Sequence, residues 1–309
     1  MNRQPRAVVF AYHSVGVRAI QVLQALGVEI ALILTHQDDP GENTWFDSVR
    51  DVADWAGIPC LAPEDPNTPQ LRDTLAACAP DWLFSFYYRR LLAPELLAIP
   101  TQGAFNLHGS LLPSYRGRAP LNWVLVHGEH QTGMSLHRML VKPDAGALVD
   151  QETVPIFPND TAAVLMPRLL CAGERLLLRA LPAMFDGRAS ETAMDLSAGS
   201  YFGGRRPEDG RIDPGASAWS IHNLIRAVAP PYPGAFLYHQ GQRLDLLGSW
   251  YQGEAARAPQ AALYWEDDCC WLDGSDGERI RITRIEIEGA PLSAARCRDR
   301  FDCARLELG

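Results

Sequence analysis

The chain has no Gly-x-Gly-x-x-Gly between its first predicted strand and helix. Tyr12-His13-Ser14-Val15-Gly16 fills that turn instead, which argues against a tightly held dinucleotide. Cys-x-x-Cys is also missing. The seven cysteines (Cys60, Cys78, Cys171, Cys269, Cys270, Cys297 and Cys303) are odd in number and scattered, so neither a disulfide framework nor a zinc site is expected. His-Glu-x-x-His and the Ser nucleophile elbow are absent, which removes the usual metalloprotease and serine acyl-transfer chemistries. No run reaches about 18 unbroken apolar residues, the minimum for a membrane span. Met1–Arg6 leads into only a short apolar strand, so no signal peptide is expected either. Positive charge is short as well: 28 basic against 37 acidic residues leave −9. That is a poor balance for a nucleic-acid partner, because such binding rests on cations neutralising phosphates. Arg89-Arg90, Arg116 with Arg118, and Arg205-Arg206 are local basic groups sufficient for a small phosphorylated ligand. The expectation is a cytoplasmic protein with reduced thiols and a small-molecule partner, no nucleic acid and no membrane; its oligomeric state is not legible.

What is present reads as α/β. With 309 residues and 47% apolar content, the chain can fill two modest domains or one large one. Ala7–Tyr12 suits a buried parallel strand, Val15–Leu26 has helical spacing, and Glu29–Thr35 is a second strand. This β-α-β opening belongs to a Rossmann-like doubly wound, mostly parallel sheet. Helices are predicted over 45–56, 68–78, 94–99 and 120–127, with strands over 58–61, 82–87, 131–139 and 148–155. A long helix follows, capped by Asp160 or Thr161 and reaching Phe185; Pro167 predicts either a kink or a start near that residue. Beyond Phe202–Gly210 the pattern changes. Ser217–Ala227 is helical, and then short β runs dominate, ending in the strict alternation of Arg279–Ile287. Several short strands with turn signals predict a small OB-like barrel. The expected organisation is a domain over 1–195 and a smaller β-barrel domain over 196–309.

The chemistry concentrates in Phe105-Asn106-Leu107-His108-Gly109-Ser110-Leu111-Leu112-Pro113 and its continuation to Pro120. Strand side chains alternate, so Asn106 and His108 project to one side at the carboxyl end of a strand, where open α/β sheets bind ligands. An amide can donate to a developing oxyanion, and an imidazole can move a proton near neutral pH. A polar strand end feeding a surface loop is the competing reading. Downstream, Leu140-Val141-Lys142-Pro143-Asp144-Ala145-Gly146 places a carboxylate in a turn. Beside His108 it would orient the ring and raise its pKa above about 6.5. His13 reads two ways, as a ligand contact or as an exposed turn residue. Leu91 and Leu92 also read two ways, as a bed for a flat aromatic ring or as the start of a core helix.

Taken together, Asn-x-His at 106–108, Ser110-Leu111-Leu112-Pro113 with Arg116-Gly117 and Ala119-Pro120, and the Asp144-Ala145-Gly146 turn resemble the folate-dependent formyltransferases. Arg226-Ala227 and Pro231–Phe236 extend the likeness into the C-terminal part. Within the family it is densest to the formyltransferase portion of bifunctional polymyxin-resistance proteins, through Val9–His13, Thr35-His36, Pro40-Gly41-Glu42, Phe84–Arg89 and Arg116–Leu125. The resemblance implies N10-formyltetrahydrofolate as cosubstrate. It also implies the 4-amine of UDP-4-amino-4-deoxy-L-arabinose as acceptor, in lipid A modification. It assigns His108 as acid/base, Asn106 as transition-state stabiliser and Asp144 as the residue that tunes His108. Folate contacts would be Arg90, Leu91, Leu92, Arg118, Leu140, Val141, Lys142, Pro143 and Asp144. Two positions depart from the closest pattern: Arg90 stands where that group has His, and Pro143 stands where a small residue is expected. The chain ends at Gly309 without that group's decarboxylating dehydrogenase domain, so a separate protein is expected to supply that step. Alternatives are methionyl-tRNA formyltransferase, transfer to another amino-sugar nucleotide, a formyl-folate hydrolase, and a non-catalytic folate or nucleotide binder.

Overall fold

The computed structural model describes residues 4–38, 41, 43–258 and 260–308. Pro40 and Glu42, quoted above, lie outside the described residues, as do Met1–Arg3 and Gly309. The chain divides into two compact units. One comprises Met1–Gly117, Thr132–Val154 and Pro167–Phe202; the other comprises Arg118–Gln131, Pro155–Met166 and Gly203–Gly309.

The first unit is built on a sheet of order β3-β2-β1-β4-β5-β7-β8. Its strands are β1 (Arg6–Ala11), β2 (Glu29–Leu34), β3 (Cys60–Leu61), β4 (Trp82–Phe86), β5 (Gly103–His108), β7 (Gln131–Arg138) and β8 (Leu148–Pro155). The pairs β1–β2, β2–β3, β1–β4 and β4–β5 are parallel, whereas β5–β7 is antiparallel. All five residues of β4 are buried, as a strand covered on both faces requires. Val8 and Phe10 share a core with Leu32, Leu34, Leu83 and Leu96. A minor parallel pair joins β6 (Arg116–Gly117) to β9 (Tyr201–Phe202).

Several helices begin at a side-chain cap. In α3 (Pro69–Ala77), Thr68 accepts from Leu71 N and Pro69 occupies the first turn. In α2 (Val49–Ala56), Ser48 accepts from Asp51 N, so the helix starts four residues later than its apolar pattern predicts. Trp45 and Phe46 are used differently, packing on His13 with ring centroids 5.1 and 4.3 Å away. His13 itself opens α1 (His13–Ala25) with φ +65° and is only 8% exposed, so the exposed-turn reading is excluded. The long helix α6 (Ala162–Phe185) starts before Pro167 and carries both Pro167 and Pro182 inside it. Thr161 caps it, accepting from Val164 N. Pro94–Leu97 forms the short α4.

The second unit carries α5 (Pro120–Val126), α7 (Ala218–Val228) and a curled antiparallel half-barrel. Its strand order is β10-β11-β14-β13-β12-β16, with β15 pairing on β14. The strands are β10 (Ala235–His239), β11 (Gln242–Ala255), β12 (Ala262–Glu266), β13 (Cys269–Asp273), β14 (Glu278–Ile287), β15 (Ala290–Pro291) and β16 (Arg305–Glu307). The stretch expected to alternate strictly is β14; it buries Ile280, Ile282, Ile285 and Ile287, so the alternation shifts phase at Thr283-Arg284, where the pairing with β11 is irregular. Two elements lack a strong local signal: α8 (Ala294–Phe301), which buries only Cys297 and Phe301, and the edge strand β16. Inside this unit Arg226 is 2% exposed; it donates to Asn223 Oδ1 and to the carbonyls of Phe157 and Asp160. Among the described residues no helix is long and apolar enough to cross a membrane.

Candidate active site

β5 delivers Asn106 and His108 at its carboxyl end, and the antiparallel register with β7 sets what faces them. Asn106 is paired with His137 and His108 with Ser135. Asn106 Nδ2 lies 3.1 Å from His137 Nε2. His137 Nδ1 lies 2.9 Å from the Arg138 carbonyl, to which it donates. The turn after β7 then swings Asp144 back over the strands in a left-handed conformation, φ +48°. Its Oδ1 lies 3.6 Å from His108 Nδ1 and 3.5 Å from His137 Nε2, and its Oδ2 accepts from Gly117 N at 2.9 Å.

The loop after β5 is tied down by short-range polar contacts. Ser110 Oγ donates to the Ser114 carbonyl at 2.6 Å. Ser135 Oγ donates to the Ser110 carbonyl at 2.6 Å and accepts from Leu112 N at 3.0 Å. The result presents the Tyr115 carbonyl to His108 Nε2 at 2.8 Å. A carbonyl can only accept, so Nε2 carries the proton and the Nδ1 lone pair of neutral His108 faces Asp144. Proton uptake at Nδ1 then creates an imidazolium beside a carboxylate. Asn106 and His108 thus meet Asp144, which lies more than thirty residues later in the chain, at one place, and His137 completes the group.

Residues 9–181, more than half the chain, match the family described as formyl transferase, and residues 205–296 match the formyl transferase C-terminal domain. The chain belongs to the formyl transferase family. Among solved structures the fold is similar to an N-formyltransferase from Helicobacter canadensis, solved with folinic acid and dTDP-3-aminofucose. That similarity has TM-score 0.67 and 20% identity, over 91% of this chain and 99% of that one. WlaRD, a sugar 3N-formyltransferase, gives TM-score 0.67 and 18% identity, over 93% and 99%. Glycinamide ribonucleotide transformylase 1 from Symbiobacterium toebii gives TM-score 0.54 and 22% identity, over 62% and 95%.

The electrostatics of this formyltransferase depart from the sequence-based expectation in one respect. His108 is held below its ordinary value, not above it. Burial of the ring is the dominant cause; Asp144 and the Tyr115 carbonyl pull the other way without overcoming it, and His137 adds to the lowering. Asp144 behaves conversely. Burial pushes its carboxyl up, but the charge of His108, the contacts with His137 and the Gly117 N–H together hold it well below the usual carboxylate range.

The remaining sequence-predicted residues are distributed unevenly. Leu91, Leu140 and Val141 are exposed large apolar side chains at 69%, 51% and 68%, on the segments after β4 and β7. Arg90 and Lys142 are exposed on the same two segments, and Pro143 is half-buried. Leu92 turns the other way and joins the core at 7% exposure. Arg118 is exposed and is the first residue of the second unit. Sequence reasoning missed His137. The signal was available in the alternation of 131–138, but only the pairing register shows that His137 opposes Asn106.

Proposed function

We propose that this formyltransferase moves a formyl group from N10-formyltetrahydrofolate to the 4-amine of UDP-4-amino-4-deoxy-L-arabinose. The observation that carries the reaction type is the convergence of Asn106, His108 and Asp144. N10-formyltetrahydrofolate supplies an activated formyl carbon on a nitrogen leaving group. The exposed Leu91, Leu140 and Val141 fit a flat ring, and Arg90 and Lys142 fit its carboxylates. The residues of the chain then divide the work. Asn106 has two N–H bonds on Nδ2; one is directed at His137 Nε2, and the other is available to a developing oxyanion. His108, neutral because it is buried, accepts the proton released by the attacking amine at Nδ1 and returns it to the departing nitrogen. Asp144, ionised throughout, stabilises the imidazolium in between.

An amino-sugar nucleotide as acceptor is supported by the fold likeness to the Helicobacter canadensis protein and WlaRD. The arabinose derivative in particular is supported by the sequence likeness at Val9–His13, Phe84–Arg89 and Arg116–Leu125. The test is turnover of purified protein with formyl-folate and three acceptors in parallel: UDP-4-amino-4-deoxy-L-arabinose, a dTDP-amino sugar, and charged initiator tRNA. Formylated UDP-sugar is the expected product. Product on the dTDP-sugar alone would replace the acceptor, and product on the tRNA alone would sink the amino-sugar reading. Folate deformylation at equal rates with and without any acceptor would make the protein a hydrolase.

A further inference from the structure

The pair His108–Asp144 is held in register by backbone groups of Tyr115 and Gly117, and those groups are themselves held from a distant segment. Ser200 makes three contacts with that loop. Its Oγ accepts from Tyr115 N at 2.8 Å, its carbonyl accepts from Arg116 N at 3.0 Å, and its N–H donates to the Pro113 carbonyl at 3.2 Å. Immediately after it, β9 pairs in parallel with β6, and the ring of Phe202 stacks on Tyr115 with centroids 5.3 Å apart and planes 21° apart.

The approach is close enough to need glycine on both sides. A Cβ on Gly199 would stand 2.1 Å from the Pro113 carbonyl oxygen, and one on Gly117 would stand 2.2 Å from the Phe202 carbonyl oxygen. Tyr115 sits between these contacts at φ +57°, a conformation that a bulky L-residue keeps only when its surroundings impose it. Ser110 Oγ and His108 Nε2 reach the Tyr115 carbonyl from one side, and Ser200 bonds the residues on both sides of the turn as well as the Tyr115 N–H.

We propose that Gly199–Phe202 is a strap whose Ser200 is a positioning residue for catalysis. Through Tyr115 it sets the His108 tautomer, and through β6 it sets the N–H that orients Asp144. The proposal rests on the reading of His108 and Asp144 given above. The contacts of Ser200 are to the backbone of Pro113, Tyr115 and Arg116, so its effect is expected to pass through the imidazole that the Tyr115 carbonyl holds.

Ser200→Ala tests this directly. The substitution deletes the hydrogen bond from Tyr115 N to the Oγ, and kcat is expected to fall about tenfold with KM for formyl-folate little changed. The Tyr115 carbonyl also favours protonated His108. Loosening it therefore moves the acid limb of kcat/KM to lower pH, read against the two titratable groups that face the ring, Asp144 and His137. Ser200→Thr keeps the oxygen and is expected to restore both readouts. A third measurement needs no substrate: the His108 Nε2–H resonance in protein carrying 15N-histidine, assigned by its loss in His108→Gln. It is expected in wild type and Ser200→Thr and to be lost to exchange in Ser200→Ala.

An unchanged rate, acid limb and resonance in folded Ser200→Ala would overturn the strap. So would equal defects in the Ala and Thr variants, which mark a packing role. Should wild-type protein fail to turn over any acceptor, the functional reading fails, while the resonance still decides the strap.

Discussion

Replacing Asp144 by Asn is the sharpest perturbation of the proposed mechanism, because it removes a charge while keeping the shape. The amide oxygen can still accept from Gly117 N, so the turn is expected to hold. What disappears is the attraction between the carboxylate and the proton that His108 takes up at Nδ1, 3.6 Å away. At an effective dielectric of about 20, two unit charges at that separation attract by about 4.6 kcal/mol. Asp144 is 12% exposed, so solvent replaces part of that stabilisation. A kcat lowered by roughly two to three orders of magnitude follows, since each factor of ten corresponds to about 1.4 kcal/mol. Binding of formyl-folate, which does not depend on the imidazolium, is expected to change far less. Without Asp144 opposing burial, His108 also becomes a weaker base, so the residual activity of the variant should lose its acid limb to lower pH. The assay is single-turnover formyl transfer from pH 5.5 to 8.5, with thermal melting to verify the fold. An Asp144→Asn protein within tenfold of wild type, or one whose acid limb moves upward, would refute the assignment of the carboxylate as partner to the protonated ring.

Other outcomes follow from the same structure. Burial lowers His108 below its ordinary value, so wild-type kcat/KM should not fall on the histidine until the pH is below about 6.5. A histidine limb centred above that value would contradict the buried site. His222, fully buried between Ser249 Oγ and the Pro158 carbonyl, is pushed down to about 4 mainly by burial, with Arg226 adding to the lowering. Its folded value lies below the unfolded one, so its contribution is complete above pH 6.5 and is lost as pH falls towards 4. The loss is about 3 kcal/mol, to be read as the difference in urea stability between wild type and His222→Gln at pH 7.5 and pH 4.5. An identical pH slope in both proteins would show that this histidine does not titrate as stated. Gly117→Ala places a Cβ against the Phe202 carbonyl at φ +97°, a conformation costing an L-residue about 1–2 kcal/mol before any clash. Both melting temperature and kcat are expected to fall, because the same residue donates to Asp144. Wild-type behaviour of that variant would mean the β6–β9 contact is dispensable.

Much of this protein is written locally. The apolar runs that became β1, β2 and β4, the alternation that became β14, and the capping residues Ser217, Thr161 and Thr68 all act within a turn or two of themselves. Local order was therefore readable from spacing alone. The residue types at 106, 108 and 144 were legible for the same reason, since an amide and an imidazole two apart on a strand must share a face. Tertiary structure decided the rest. Only the β5–β7 register could bring His137 to Asn106, and only burial could reverse the direction in which His108 is tuned. Packing turned Leu92 inward beside an exposed Leu91, and aromatic neighbours buried His13 and postponed the start of α2. The strap at Gly199–Phe202 carries no periodicity of its own. Its partners lie some eighty residues earlier, and hydrogen bonds at that range depend on which strands have already paired. Spacing along a chain fixes what a segment can become; desolvation and register, which need the folded neighbours, fix what it does there.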